Sequence, residues 1–328
     1  MNHTPVLLKE VIAFLDPAPG KRYIDATYGM GGHAKEIVKG GGIVLGIDRD
    51  PQTAVILEGR SPDRISRDSI APLQNDKLRI VAGNFKDIKE IAEEHGFAEV
   101  DGILFDLGLG SHQLDDPERG FSFQKAGPLD MRFDKSEARN SKSETAESIV
   151  NQFSEKDLYR IFRDYGEEKR WGKRVARAIL EARKTGSVET TDQLFELIKK
   201  ALPAKFRFRA GDTARRIFQS LRIEVNDELG ALEKALPQAL ELLKGGKGSK
   251  GGGKLVVISF HSLEDRIVKS FFQKEARNCV CPPEFPVCRC DARATLRIST
   301  KKPVTASAEE IAGNRRAQSA KLRVAQKL

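Results

Sequence analysis

A chain of 328 residues, with 39% hydrophobic and 31% charged side chains, can bury a full core and is long enough for two domains or for one domain carrying an insertion. Its 56 Lys and Arg exceed its 47 Asp and Glu to leave a net charge of +9, which favours a polyanionic partner over a membrane: no stretch approaches the ~18 apolar residues of a spanning helix. The apolar start from Val6 to Leu15 is broken by Lys9 and Glu10 and has no basic leader, and all four Cys fall between Cys279 and Cys290, so a cytoplasmic protein without a disulfide framework is expected.

Four short apolar runs open the pattern: Tyr23 to Ala26, Ile43 to Ile47, Leu78 to Val81 and Val100 to Phe105. Each is followed by turn residues or an acid and separated from the next by an amphipathic stretch, as in buried parallel strands joined by crossover helices. A polar segment, Gly108 to Asp134, then gives way to helical stripes. Leu158, Ile161, Phe162 and Tyr165 form one, with Ser154 and Asp157 placed as its cap. Trp171, Val175, Ala178, Ile179 and Ala182 form a second, and Leu194, Leu197, Ile198 and Ala201 a third.

The expected division is therefore 1–112 and 212–328 for a discontinuous α/β domain, and 113–211 for an inserted helical domain. In the returning part, Ala214, Ile217, Phe218 and Leu221 fit a helix, and Asn226 is placed to cap the next one, which Pro237 would kink or restart. Gly245 to Gly253 reads as a flexible loop, Leu255 to Phe260 as a strand, and Leu296 with Ile298 and Leu322 with Val324 as two more. A short helix capped by Ser307 and Glu310 separates the last pair.

The charge is not spread evenly. Residues 1–150 hold 19 basic and 25 acidic side chains, leaving 37 basic and 22 acidic for the remainder, so the two parts carry −6 and +15.

The segment Tyr23 to His33 runs a strand into a glycine turn that opens a helix, a geometry in which backbone N–H groups can approach a nucleotide-like cofactor closely. Asp48 ends the next strand about 20 residues on, where a carboxylate can accept both ribose hydroxyls, while Asp50 before Pro51 fits a helix cap. Asn84-Phe85 and Asp106 follow the third and fourth strands on the same carboxyl edge. Gly29, Gly31 and Ala34 also satisfy the G-x-G-x-x-A form of a dinucleotide fingerprint. A pyrophosphate would profit from Lys or Arg, however, and this edge presents Asp25, Asp48 and Asp106. S-adenosylmethionine, a phosphate-free sulfonium cation, suits an acidic rim better.

These residues, with Gly46-Ile47-Asp48-Arg49-Asp50-Pro51, Phe105-Asp106-Leu107-Gly108, Gln113-Leu114-Asp115, Arg119-Gly120-Phe121-Ser122-Phe123, Gly127-Pro128-Leu129-Asp130-Met131-Arg132, Ser259-Phe260-His261-Ser262-Leu263-Glu264-Asp265-Arg266 and Ser319 to Ala325, resemble the bacterial small-subunit ribosomal RNA (cytosine-N4)-methyltransferases. The opening Met1-Asn2-His3-Thr4-Pro5 belongs to the same resemblance, which extends over nearly the whole chain. It implies a class I S-adenosylmethionine-dependent methyltransferase fold, Rossmann-like, with a mostly parallel seven-stranded sheet and an inserted helical domain for substrate recognition. It implies as substrate the exocyclic N4 of one cytidine in the P-site decoding region of 16S rRNA, presented by the small (30S) subunit. Cofactor contacts implied position by position are Gly31, Gly32, His33, Asp48, Phe85, Asp106 and Gln113. Oligomeric state is left open, a homodimer being one option.

An exocyclic cytosine amine is a poor nucleophile, so the enzyme must align it with the sulfonium methyl and accept its departing proton. Asp106, Asp130 and His261 are the candidate acceptors, with a structural hydrogen-bonding role equally open for His261. Two basic features could face RNA. Arg170, Lys173, Arg174 and Arg177 share one helix face, which is also how an ordinary solvated face looks. Lys205-Phe206-Arg207-Phe208-Arg209 alternates cations and rings that could stack on bases, or could be an edge strand with buried Phe. Cys279-x-Cys281 and Cys288-x-Cys290 invite zinc, yet lack C-x2-C spacing and could form a rigid thiol loop; no metal is assigned. A nicotinamide-dependent oxidoreductase and a non-catalytic ribosome-assembly factor are the competing readings.

Overall fold

Strands β1 (Arg22–Asp25), β2 (Ile43–Asp48), β4 (Leu78–Ala82), β5 (Gly102–Asp106) and β6 (Lys254–Ser259) pair in parallel in the order β4-β2-β1-β5-β6. Next to β6 lie β8 (Lys321–Lys327), antiparallel to it, and then β7 (Leu296–Ile298), antiparallel to β8. These seven strands make the mostly parallel seven-stranded sheet that the motif resemblance implied. The two-residue β3 (Ala71–Pro72) adds an eighth strand at the far edge. The computed structural model describes residues 5–50, 71–72, 77–134, 144–246, 251–279, 281, 289–290 and 292–328. The expected helix after Asp50, beginning at Pro51, lies outside the described residues, as do 247–250 of the glycine loop.

Alternation along each strand explains why the runs are continuously apolar. Leu45, Ile47, Ile103, Phe105, Leu255 and Val257 point to one face, whereas Val44, Leu104, Val256 and Ile258 point to the other. On the first face the core is completed by helices α3 (Ile88–Glu94), α10 (Glu228–Leu242) and α11 (Ser262–Glu275), through Ile88, Leu232, Leu236, Val268 and Phe272. On the second it is completed by α1 (Leu8–Leu15) and α2 (Gly32–Lys39), through Val11, Leu15, Ala34 and Ile37. Among the described residues no helix is long and apolar enough to cross a membrane.

The chain divides into two units, Met1–Gly108 with Leu229–Leu328, and Leu109–Glu228. The second contains α4 (Ser111–Asp115), α5 (Ala146–Gln152), α6 (Glu155–Asp164), α7 (Gly172–Ala182), α8 (Thr191–Ala201) and α9 (Ala210–Asn226) around a separate apolar core. Its limits differ from the expected 113–211 because α9 turns Ala214, Ile217, Phe218 and Leu221 into that core rather than onto the sheet. Asn226 is also placed differently. It is the last residue of α9, its side-chain oxygen accepting from the Phe133 N–H at 3.0 Å and its amide donating to the Met131 carbonyl at 2.8 Å. The following helix runs continuously through Pro237.

Local capping follows the sequence closely. The Ser154 hydroxyl accepts from the Asp157 N–H at 3.2 Å at the start of α6, and the Ser307 hydroxyl accepts from the Glu310 N–H at 3.1 Å at the start of α12 (Ala308–Gly313). Both caps are short-range, so the residues that make them suffice to place them.

Candidate functional site

The carboxyl ends of β2, β1 and β5 lie side by side, and the strand order reverses between β1 and β5. In open α/β sheets such a reversal leaves a crevice where ligands bind. Asp25, Asp48 and Asp106 are the last residues of these three strands.

The turn after β1 is built around Tyr28. Its N–H donates to the Ile47 carbonyl at 2.9 Å, which ties the turn to β2. Its ring fills the space where a Cβ would stand on Gly31 or Gly46. Gly31, with φ of +70°, is the N-cap of α2, so both its conformation and its crowding exclude a side chain. At Gly29, φ is +51° and a Cβ would meet nothing nearer than the Thr27 carbonyl at 3.9 Å. That open space is where a ligand can come against backbone. Gly32 lies directly under the Pro5 ring.

Asp48 is held from two sides: Oδ2 accepts from the Gly29 N–H at 2.6 Å and Oδ1 from the Asp50 N–H at 2.8 Å. A carboxylate oxygen can accept more than one hydrogen bond, so an aspartate at this strand end is of the right chemistry to meet ribose hydroxyls. Asp50, expected as a helix cap, is buried beside it. The Asp106 N–H donates to the Thr27 hydroxyl at 2.6 Å, which joins the end of β5 to the same turn.

His33 is buried, with Nε2 3.1 Å from the Val6 carbonyl and Nδ1 3.7 Å from Asp106 Oδ2. A carbonyl only accepts, so Nε2 is the donor in that contact, and Nδ1 is the ring nitrogen on the Asp106 side. Phe85 begins a short 3-10 turn whose cap is Asn84, its Oδ1 accepting from the Lys86 N–H at 3.0 Å. Gln238 clamps this turn, accepting from the Lys89 N–H and donating to the Lys86 carbonyl at 2.7 Å. The Phe85 ring packs edge-on against Phe105, 5.7 Å between centroids.

Asp25 is the residue whose state the sequence reading missed. Burial, then the like charges of Asp106 and Asp48, push its carboxyl up to about 7, against a partial offset from the Thr27 N–H. A cation placed at this edge would relieve that repulsion, and a pyrophosphate would add to it. The donors and charges present therefore fit S-adenosylmethionine. No signal within the Asp25 segment alone could have revealed the shift, because its largest cause, burial, comes from the packing of the whole sheet and the like charges sit on two other strands.

Gly31, Gly32, His33, Asp48, Phe85 and Asp106 all belong to the sheet-containing unit, and Gln113 and Asp130 to the other. Gln113 Oε1 accepts from the Gly110 N–H at 3.0 Å. Asp130 is held bidentately by Arg132, at 2.7 and 2.9 Å, inside a loop that also secures Arg119 on the Phe133 carbonyl. His261 is the N-cap of α11: its Nδ1 accepts from the Glu264 N–H at 3.4 Å while Glu264 returns bonds to the Phe260 and His261 N–H groups.

Of the basic row, Lys173, Arg174 and Arg177 lie on α7, whereas Arg170 precedes its N-cap Trp171 and is not on the helix; Arg170, Arg174 and Arg177 are engaged within their own unit. The Arg170 guanidinium lies 4.7 Å from the Trp171 ring centroid and 4.6 Å from that of Phe206. Arg174 Nε donates to the Ala201 carbonyl at 3.0 Å, and Arg177 meets Glu155 at 3.2 Å. Buried Glu168 accepts from the Arg170 and Trp171 N–H groups, a carboxylate at the mouth of α7 that the sequence reading did not single out. Residues Ala204–Arg209 form a 3-10 turn and not an edge strand. Phe206 packs on Trp171, whereas Phe208 is 82% exposed between exposed Arg207 and Arg209.

The comparisons with known proteins agree over the whole length. The model of the MraW methylase family matches residues 1–328. The chain is 47% identical to "Ribosomal RNA small subunit methyltransferase H" of Heliobacterium modesticaldum, covering 100% of this chain and 99% of that protein. It is 47% identical to the protein of that name from Halothermothrix orenii, with the same coverage, and 48% identical to that from Thermomicrobium roseum, covering 94% of it.

Proposed function

The chain belongs to the MraW methylase family, and from that premise we propose that it transfers a methyl group from S-adenosylmethionine to small-subunit 16S rRNA, at the exocyclic N4 of one cytidine in the P-site decoding region. The observation that carries the cofactor assignment is the convergence of Asp25, Asp48 and Asp106 beside the open backbone at Gly29. The RNA substrate follows the relatives' names, and N4 of a P-site cytidine follows the motif resemblance.

Bound S-adenosylmethionine would supply an electrophilic methyl; the amine lone pair forms the new N–C bond as the S–C bond breaks, and one N4 proton leaves. Asp48 binds and orients the ribose. The backbone of Gly29 to Gly32 forms the floor, with Phe85 offering a ring face for the adenine. Asp25 and Asp106 supply negative potential matched to the sulfonium. Gln113 stays in the cofactor set on the resemblance alone. Asp106 is the favoured proton acceptor, because it ends β5 and its N–H is bonded to the Thr27 hydroxyl of the glycine turn. Phe208 with Arg207 is the favoured RNA contact, a ring and a cation presented together on the helical unit.

The test is incubation of the protein with labelled S-adenosylmethionine and unmodified small subunits assembled in the cytoplasm of a methylation-deficient strain, followed by nucleoside mass spectrometry. N4-methylcytidine in 16S rRNA is expected. Label in another nucleoside overturns the N4 assignment, and tight NAD binding without S-adenosylmethionine binding overturns the cofactor.

A further inference from the structure

The four cysteines play no part in the methyl-transfer reading, yet three of them come together. Cys279, Cys281 and Cys290 are thiols whose sulfur atoms all lie within 4.8 Å of one another. Cys279 Sγ and Cys290 Sγ are 3.8 Å apart. This is far longer than a disulfide, and it equals the edge of a tetrahedron of sulfurs around a central zinc with Zn–S of about 2.3 Å, which is about 3.8 Å.

Backbone donors point at two of these sulfurs. The Cys281 N–H donates to Cys279 Sγ at 3.4 Å and the Arg289 N–H to Cys281 Sγ at 3.3 Å. Backbone donors of this kind are the outer contacts that orient thiolate ligands at metal sites. Arg277, Arg289 and Arg293 add positive charge along the same segment.

The segment is also anchored at its base. The Thr295 N–H donates to the Glu275 carbonyl at 2.8 Å, its hydroxyl to Glu275 Oε2 at 2.7 Å, and the Ala294 N–H to Asn278 Oδ1 at 3.0 Å. The end of α11 is thereby joined to the residues just before β7, at positions that flank the cysteines in the chain.

We propose that Cys279, Cys281 and Cys290 bind one structural Zn2+ ion as thiolates. Soft thiolate donors select zinc among the common divalent ions, and an ion held by all three would cross-link residues 279, 281 and 290. The site is independent of the cofactor and RNA assignments, and its test reads metal and not methylation.

Full-length protein purified under reducing conditions from zinc-supplemented cells is to be analysed by plasma mass spectrometry, beside the Cys279→Ser/Cys290→Ser double variant. One zinc per wild-type chain is expected, retained through dialysis and released by a mercurial thiol reagent. Cobalt exchange should give thiolate-to-metal charge-transfer absorption. The double variant should lose both the stoichiometric zinc and the cobalt spectrum while still binding S-adenosylmethionine, which reports that the sheet-containing unit is folded. Less than a tenth of an equivalent of zinc (~0.1) in the reduced wild type after reconstitution, on the one-ion stoichiometry of a structural site, overturns the proposal. So does zinc retained by the double variant, iron in place of zinc, or a Cys279–Cys290 disulfide in the reduced preparation.

Discussion

Asp25, last in β1 and buried, holds a carboxyl pushed up to about 7 by burial and by Asp106 and Asp48. Folding therefore retains a proton that the unfolded chain gives up near 3.8, its ordinary value. The unfolded state binds fewer protons between those values, so this group's contribution is fully present below about pH 4 and is lost as pH rises towards 7. At most about 4 kcal/mol is involved. Asp25→Asn should flatten that limb of the melting-temperature profile, and an unchanged slope would place its origin elsewhere. Asp48 calls for a gentler substitution than Ala, since its oxygens also hold the Gly29 and Asp50 N–H groups. Asp48→Asn keeps acceptor capacity but removes the charge and one ribose acceptor. S-adenosylmethionine affinity by calorimetry should fall at least tenfold, about 1.4 kcal/mol, with the fold intact.

The α11 start decides what His261 does. As a cap it exchanges bonds with Glu264, so His261→Ala should cost about 1 kcal/mol in chemical denaturation, whereas His261→Asn, a good N-cap residue, should recover most of that and leave methylation near wild type. A stable Asn variant without methylation would instead make the imidazole the proton acceptor. Ser154 and Ser307 were readable as caps because such a bond spans three residues. Asn226 has the same chemistry, but besides the Arg222 carbonyl one turn back its partners include Phe133 and Met131, nearly a hundred residues away, and no local pattern reveals those. Likewise the alternation in Lys205 to Arg209 matches a strand, yet these residues form a 3-10 turn in which Phe206 is drawn onto Trp171 and Arg170.

Across the whole chain the two charge totals, −6 for residues 1–150 and +15 for the rest, match a cationic cofactor held at an acidic sheet edge and a polyanionic substrate met by basic surface. The structure shifts attention from the basic row to Phe208, because Arg170, Arg174 and Arg177 already have partners within the helical unit. Phe208→Ala with Arg207→Ala should weaken small-subunit binding by about 5- to 100-fold, the range of one lost base stack, and lower the slope of log affinity against log salt by about 0.7 to 0.9. S-adenosylmethionine affinity should stay the same. Wild-type subunit binding by this variant would return Phe208 to the status of an ordinary exposed ring.

Sequence by itself determined the succession of strands, the glycine turn, the acids at the strand ends and the family, because each is carried by residues adjacent in the chain or by long motifs. Tertiary structure alone decided which acids face one another, that Tyr28 is the reason Gly31 and Gly46 cannot bear side chains, that α9 belongs to the helical unit, and that three cysteines meet. Charge coupling, steric exclusion and thiol clustering depend on distances between segments far apart in the chain, and those distances exist only once the strands have paired and the helices have packed.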